Sequence, residues 1–229
     1  IRHEWISVLL FNQLVYASQD IETDDAWLNI FVAGKISECQ LDNPAIKEQS
    51  TPLHGLPNAA SLIAWLIVTH HRLPLPKDTS LCDRLRDKSN DSIQDLLKRI
   101  TQAWGYENRH EDFEQLMPLC FQFPNGLLTS SKIWQSRLQH WAKELCEHLP
   151  LLEQALADDS WRLILHYARL CLMLGDHFYS SQPKDSNWQG NIELFANTDP
   201  NSKELKQKLD EHLVNVAEVA LNSVRMLPW

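Results

Sequence analysis

Glycine is scarce in this chain, with 6 residues in 229, and few stretches alternate apolar and polar side chains. A half-buried sheet needs that alternation, so the composition disfavours a sheet-based fold. Long apolar runs are missing as well. The longest, "SLIAWLIVTHH", falls short of the ~20 residues that a bilayer span needs and predicts a buried helix. With no signal peptide visible, the expectation is a cytoplasmic protein without a membrane partner. Five cysteines (Cys39, Cys82, Cys120, Cys146, Cys171) form no CxxC pair, and an odd, scattered set predicts reduced thiols rather than a disulfide framework. Positive charge is in deficit, 21 Lys and Arg against 30 Asp and Glu, for a net charge of −9. That balance argues against a large basic surface for gripping nucleic acid; such a substrate would need metal ions, a local patch or a partner domain to offset the repulsion. A Walker A loop, a GxSxG elbow and an HExxH helix are all absent. The chain opens on Ile1, without a start Met, inside what already reads as a helix, which gives the expectation of a piece of something longer.

What is present is helical periodicity. A hydrophobic content of 44% with 22% charged residues is that of a globular domain able to bury a substantial core. "HEWISVLLFNQLVYA" places His3, Ser7, Leu10 and Leu14 on one face, which is taken as the inner one. An acidic, irregular stretch is expected from Ser18 to Pro57, with a short helix at "AWLNIFVAG" and a solvated loop around "DIETDDAWLN". Asn58 is placed to cap the next helix, Ala59 to His71, which should stop before Pro74 and Pro76. "SIQDLLKRITQAW" predicts a further amphipathic helix. Two long helices follow, "SSKIWQSRLQHWAKELCEHLP" and "SWRLILHYARLCLMLGDHFYSS", separated by Pro150 and an acidic segment, with Ser160 as the cap of the second. A long loop is expected from Gln182 to Ser202, and "KELKQKLDEHLVNVAEVALNSVRML" closes the chain as a helix. The fold class is all-α, one helical domain over residues 1–229 with long loop insertions. Nine tryptophans spread over several helices read as packing rather than as a stacking platform.

Three features carry chemistry. His70 and His71 stand side by side where an apolar helix runs out. Helix neighbours point about 100° apart, yet at a helix end they can flank one ion or reach two. The bland alternative is that one imidazole caps the last carbonyls and the other lies in solvent. Asp176 sits on a strongly apolar helix, where an isolated carboxylate is normally paired, with Arg169 for instance, or bound to a cation. Ser180, four residues on, could hold a phosphate oxygen or a water. His3 is the third feature, expected to face inward. His177 would point away from the Asp176 face and reads as a supporting or structural residue, while His54, His110, His140, His148, His166 and His212 read as bland, His166 as core and His212 beside Asp210 and Glu211.

"RHEWISVLLF", "WLIVTHHRLP", "RLCLMLGDHFYSS" and "IELFANTD…LDEHLVNVA" together resemble the HD nuclease domain of the CRISPR-associated nuclease–helicases, in the type I-F form that fuses an adaptation subunit ahead of the HD domain and a helicase after it. The resemblance implies an HD-domain-like helical bundle and a metal-dependent nuclease degrading single-stranded, displaced target DNA. It implies one or two divalent transition metals, with Mn, Fe, Ni or Co ahead of Mg. Its partners would be a helicase domain of the same polypeptide, a guide-RNA surveillance complex and adaptation proteins. Carried over by position, the metal ligands are His3, His70, His71 and Asp176. The family's first His and its His-Asp pair have no counterpart, because no His-Asp dipeptide occurs in this sequence. The chain is therefore expected to be truncated at its N-terminus, and alone to bind metal weakly and cleave DNA poorly. Two-metal hydrolysis, with ions about 3.5–4 Å apart clamping a phosphodiester, is the implied mechanism. A non-catalytic helical docking module and an HD-type nucleotide phosphohydrolase are the alternative readings.

Overall fold

The computed structural model describes residues 3–36, 53–73, 92–105, 118–185 and 187–227. Pro74, Pro76, Cys39, Cys82, His110 and the acidic segment 37–52 lie outside the described residues. The chain forms two compact units: Ile1–Trp27 with Gln40–Gln122, and Leu28–Cys39 with Phe123–Trp229. The fold is all-α, and among the described residues the sheet is one two-stranded hairpin. Among the described residues no helix is long and apolar enough to cross a membrane.

In the first unit, α1 (His3–Tyr16) packs against α3 (Asn58–Thr69). The pair is antiparallel. His3 opens α1 beside the end of α3, while the Tyr16 hydroxyl closes α1 on the His54 carbonyl ahead of α3, at 3.4 Å. Trp5, Val8, Leu9 and Val15 form the buried stripe of α1, and Ala59, Ala60, Leu62, Ala64 and Val68 answer from α3. The inner face expected from sequence is thereby corrected: His3 and Ser7 are exposed. Alpha1 is apolar around most of its circumference, so periodicity left two stripes to choose from, and the one bearing Trp5 is inside.

Asn58 does not cap α3. The N-cap is Pro57, which makes no side-chain cap, and the two leading amides of Ala59 and Ala60 donate instead to Asp24, at 2.8 and 3.0 Å. Asp24 opens α2 (Asp24–Val32) and also accepts the buried Trp27 indole N–H at 2.9 Å. The segment expected as a solvated loop thus supplies a cap from a distant part of the chain. The "SIQDLLKRITQAW" segment forms two short helices, α4 (Ile93–Lys98) and α5 (Gln102–Gly105), with a capping box between Ser92 and Asp95 starting the first. Gln94 ties α4 to α3 by donating to the Leu56 carbonyl and the Ser61 hydroxyl.

The second unit holds α6 (Lys132–Ala157), α7 (Trp161–Ser181), strands β1 (Phe195–Thr198) and β2 (Leu205–Lys208), and α8 (Leu209–Arg225). Pro150 does not separate helices; α6 runs through it. An internal proline costs a backbone hydrogen bond, but helix-forming residues on both sides sustain a long helix past it. Ser160 gives no side-chain cap to α7, and its amide instead donates to Asp158 at 3.0 Å. The loop expected from Gln182 to Ser202 contains β1, and Leu205–Lys208, expected as helix, pairs with it antiparallel through an irregular register. His166, expected in the core, is exposed.

Ser131 joins two helix starts. Its hydroxyl caps the Trp134 amide at the head of α6 and donates to Asp210 Oδ2 at 2.7 Å. Asp210 is fully buried in the first turn of α8, where the helix dipole favours a carboxylate, and it also accepts from the Trp188 indole and the Glu211 amide. Helices α7 and α8 approach each other closely at Gly175. A Cβ built there would lie 2.7 Å from the Val216 carbonyl oxygen and 3.0 Å from the Ala220 amide nitrogen, backbone atoms that cannot turn aside. Gly175→Ala is accordingly expected to destabilise the unit by about 1–3 kcal/mol, the usual range for overpacking, measured as a lowered urea midpoint.

Candidate metal centre

The antiparallel α1–α3 pair sets three imidazoles at one end of the first unit. One ring nitrogen from each of His3, His70 and His71 can be chosen so that all lie within 4.8 Å of one another. The ring centroids of His70 and His71 are 4.0 Å apart, and His3 stands 5.9 Å from the first and 5.2 Å from the second, edge-on to both. Alpha3 ends at Thr69, and His70 is its C-cap.

His70 Nδ1–H donates to the Ile67 carbonyl at 2.7 Å. The same imidazole therefore caps the helix and keeps the Nε2 lone pair directed away from the backbone, the tautomer that a ligating histidine needs. Burial pushes its pKa below the ordinary imidazole range, and the neighbouring His71 and His3 add to the lowering. The Ile67 hydrogen bond and the Glu4 carboxylate act the other way. A neutral ring is what a metal requires. The carbonyl end of α3 also places partial negative charge behind the two rings, which favours a cation there. His3 is 70% exposed, so its approach owes nothing to core packing; its Nδ1 lies 3.5 Å from the buried carboxylate of Glu4. Donor type and the His70 tautomer fit a divalent transition ion at this cluster.

Asp176 and Ser180 lie in the second unit, on α7. Asp176 is largely buried and pairs with His212 Nε2 at 3.2 Å, rather than with Arg169 as its sequence context suggested. The Ser180 hydroxyl donates to Asp176 Oδ1 at 3.3 Å. His212, which reads as bland beside Asp210 and Glu211, is buried, with Nδ1 3.1 Å from Gln207 Oε1. Gln207 is held in that orientation because its amide donates to the Tyr179 carbonyl at 2.9 Å, and Asn197 Nδ2 donates to the same Oε1. The hairpin thus exists at the point where β1 and β2 supply Asn197 and Gln207 to a polar network around Asp176. Tyr179 closes it by donating to Glu211 Oε1 at 2.8 Å; burial, then that hydrogen bond, push its phenol pKa well above the ordinary range. The signal for His212 was its place one turn before Val216, a buried position on α8.

No protein-family model matches the chain. Two relatives do. Over 99% of its length the chain is 34% identical to the CRISPR-associated nuclease/helicase Cas3 subtype I-F/YPEST of Pectobacterium atrosepticum. Over 94% it is 36% identical to the protein of the same description from Pseudomonas aeruginosa. The chain spans about a fifth of the length of these curated relatives, 21% and 20% respectively. The similarity is therefore to one part of these relatives.

Proposed function

We propose that this chain is the HD-type nuclease portion of a CRISPR-associated nuclease–helicase, acting on single-stranded DNA with a divalent transition metal held by His3, His70 and His71. The observation that carries the reading is the convergence of those three imidazoles, with His70 fixed through Nδ1 on Ile67. The relatives' description supplies the nuclease and the helicase to which it would be joined. Asp176, which the resemblance also implies as a ligand, lies in the second unit, where His212 and Ser180 keep its carboxylate oriented. A divalent ion polarises a phosphodiester and lowers the pKa of a water molecule, the chemistry that DNA hydrolysis requires. It also offsets the net charge of −9 that otherwise opposes DNA. The helicase, the guide-RNA complex and the adaptation proteins would contribute most of the grip.

The test compares this chain with a form that also carries a His-Asp pair at its N-terminus, each given single-stranded DNA with Mn, Fe, Ni, Co or Mg. The proposal expects the extended form to cut with a transition metal and this chain to cut poorly. An extended form that binds no metal and leaves DNA intact refutes it.

One observation favours the docking module as a second reading. Leu163, Ile164, Tyr167, Leu170, Leu174 and Phe178 lie exposed along α7, a continuous apolar stripe. Under that reading the extended form would bind a helicase or guide complex while His70→Ala changed neither metal content nor binding.

A further inference from the structure

We infer that Glu4 is the positioning and charge-balancing carboxylate of the three-histidine cluster, an inference that rests on the metal reading above. Its side chain is only 5% exposed, and its Oε2 lies 3.5 Å from His3 Nδ1. A carboxylate buried to that degree is costly unless something cationic or protic faces it. The neighbour that it faces is an imidazole, a group that is neutral when it ligates a metal. Its position in the first turn of α1 meets part of the cost through the helix dipole.

Two consequences follow from the geometry. First, a negative charge beside Nδ1 holds the His3 proton on that nitrogen and leaves Nε2 as the lone-pair donor. His3 is mostly exposed, so no core packing fixes its ring, and the Glu4 carboxylate 3.5 Å from Nδ1 is the charged group that biases it. Carboxylates behind ligating histidines commonly act in this way. Second, three neutral imidazoles leave a bound dication with its full charge. A carboxylate sheltered from solvent lowers that local charge where screening is weak.

The test uses the intact chain and three forms: wild type, Glu4→Gln and His70→Ala. The glutamine is isosteric, and thermal melting confirms that it folds. Two readouts are taken, Co²⁺ affinity from the visible absorption of the bound ion, and the His3 tautomer from imidazole ¹⁵N shifts in metal-free protein. Glu4→Gln is expected to weaken Co²⁺ binding about 10–100-fold, the range for residues that support ligating histidines. It is also expected to move His3 from the Nδ1–H form toward Nε2–H. If wild type binds Co²⁺, His70→Ala does not, and Glu4→Gln matches wild type in both readouts, the role of Glu4 is overturned while the metal site stands. If wild type fails to bind Co²⁺ even at saturating concentrations of the ion, the metal reading falls and the inference falls with it.

Discussion

Replacing His70 with alanine is expected to abolish divalent-metal binding by this chain, weakening it by more than about 100-fold. Substituting a residue that merely supports a ligand loses 10–100-fold in affinity, so removing a ligand itself lies beyond that range. His70 is the best prepared of the three imidazoles. It is half-buried, its tautomer is fixed by the Ile67 carbonyl, and burial holds it neutral. The alanine also removes a helix-capping hydrogen bond, whose net worth is about 0.5–1.5 kcal/mol, so stability should fall slightly while metal binding collapses. His148→Ala serves as the control, since that imidazole lies exposed on α6 and bonds its own helix at the Glu144 carbonyl. Calorimetric titration with Mn²⁺ or Co²⁺ measures all three proteins.

Asp24→Ala is expected to destabilise the first unit by about 2–4 kcal/mol. Its carboxylate takes the two leading amides of α3 and the Trp27 indole together. Loss of a cap costs about 0.5–2 kcal/mol. A buried donor left unsatisfied adds about 1–3 kcal/mol, and the Trp27 N–H would become one. Because α3 carries His70 at its far end, loosening its start should also weaken metal binding, though less than His70→Ala does. Urea unfolding followed by tryptophan fluorescence checks the first effect, and metal titration the second.

How much of this was legible beforehand follows from what each residue can signal alone. The helices announce themselves through period and composition, and α3, α6, α7 and α8 stand close to where the sequence put them. Their ends were less legible. Proline suggests a break, yet α6 continues through Pro150 because a long helix outweighs one lost bond. The β1–β2 pair has only four residues per strand and an irregular register, too little for an alternation to show.

The candidate site divides in the same way. Two adjacent histidines ending an apolar helix have few other uses, so His70 and His71 stand out from sequence. His3 was selected for a burial that it lacks; its significance lies in the antiparallel packing of α1 on α3, a tertiary fact. His212 was hidden for a related reason. Between Asp210, Glu211 and Leu213 it resembles the first turn of a surface helix, but both acids are buried and bonded, and the imidazole is directed to Asp176. Glu4 next to His3 likewise carries no sequence signal, because burial alone separates it from an ordinary first-turn acid.

The most direct measurement of the central claim is an anomalous difference map from crystals of this chain grown with Mn²⁺. The account predicts a peak among His3, His70 and His71, with His70 Nε2 roughly 2.1 Å away, close to the distances typical of metal–imidazole bonds. A map with no peak there, while the three imidazoles keep their convergence, would contradict the claim that they form a metal centre.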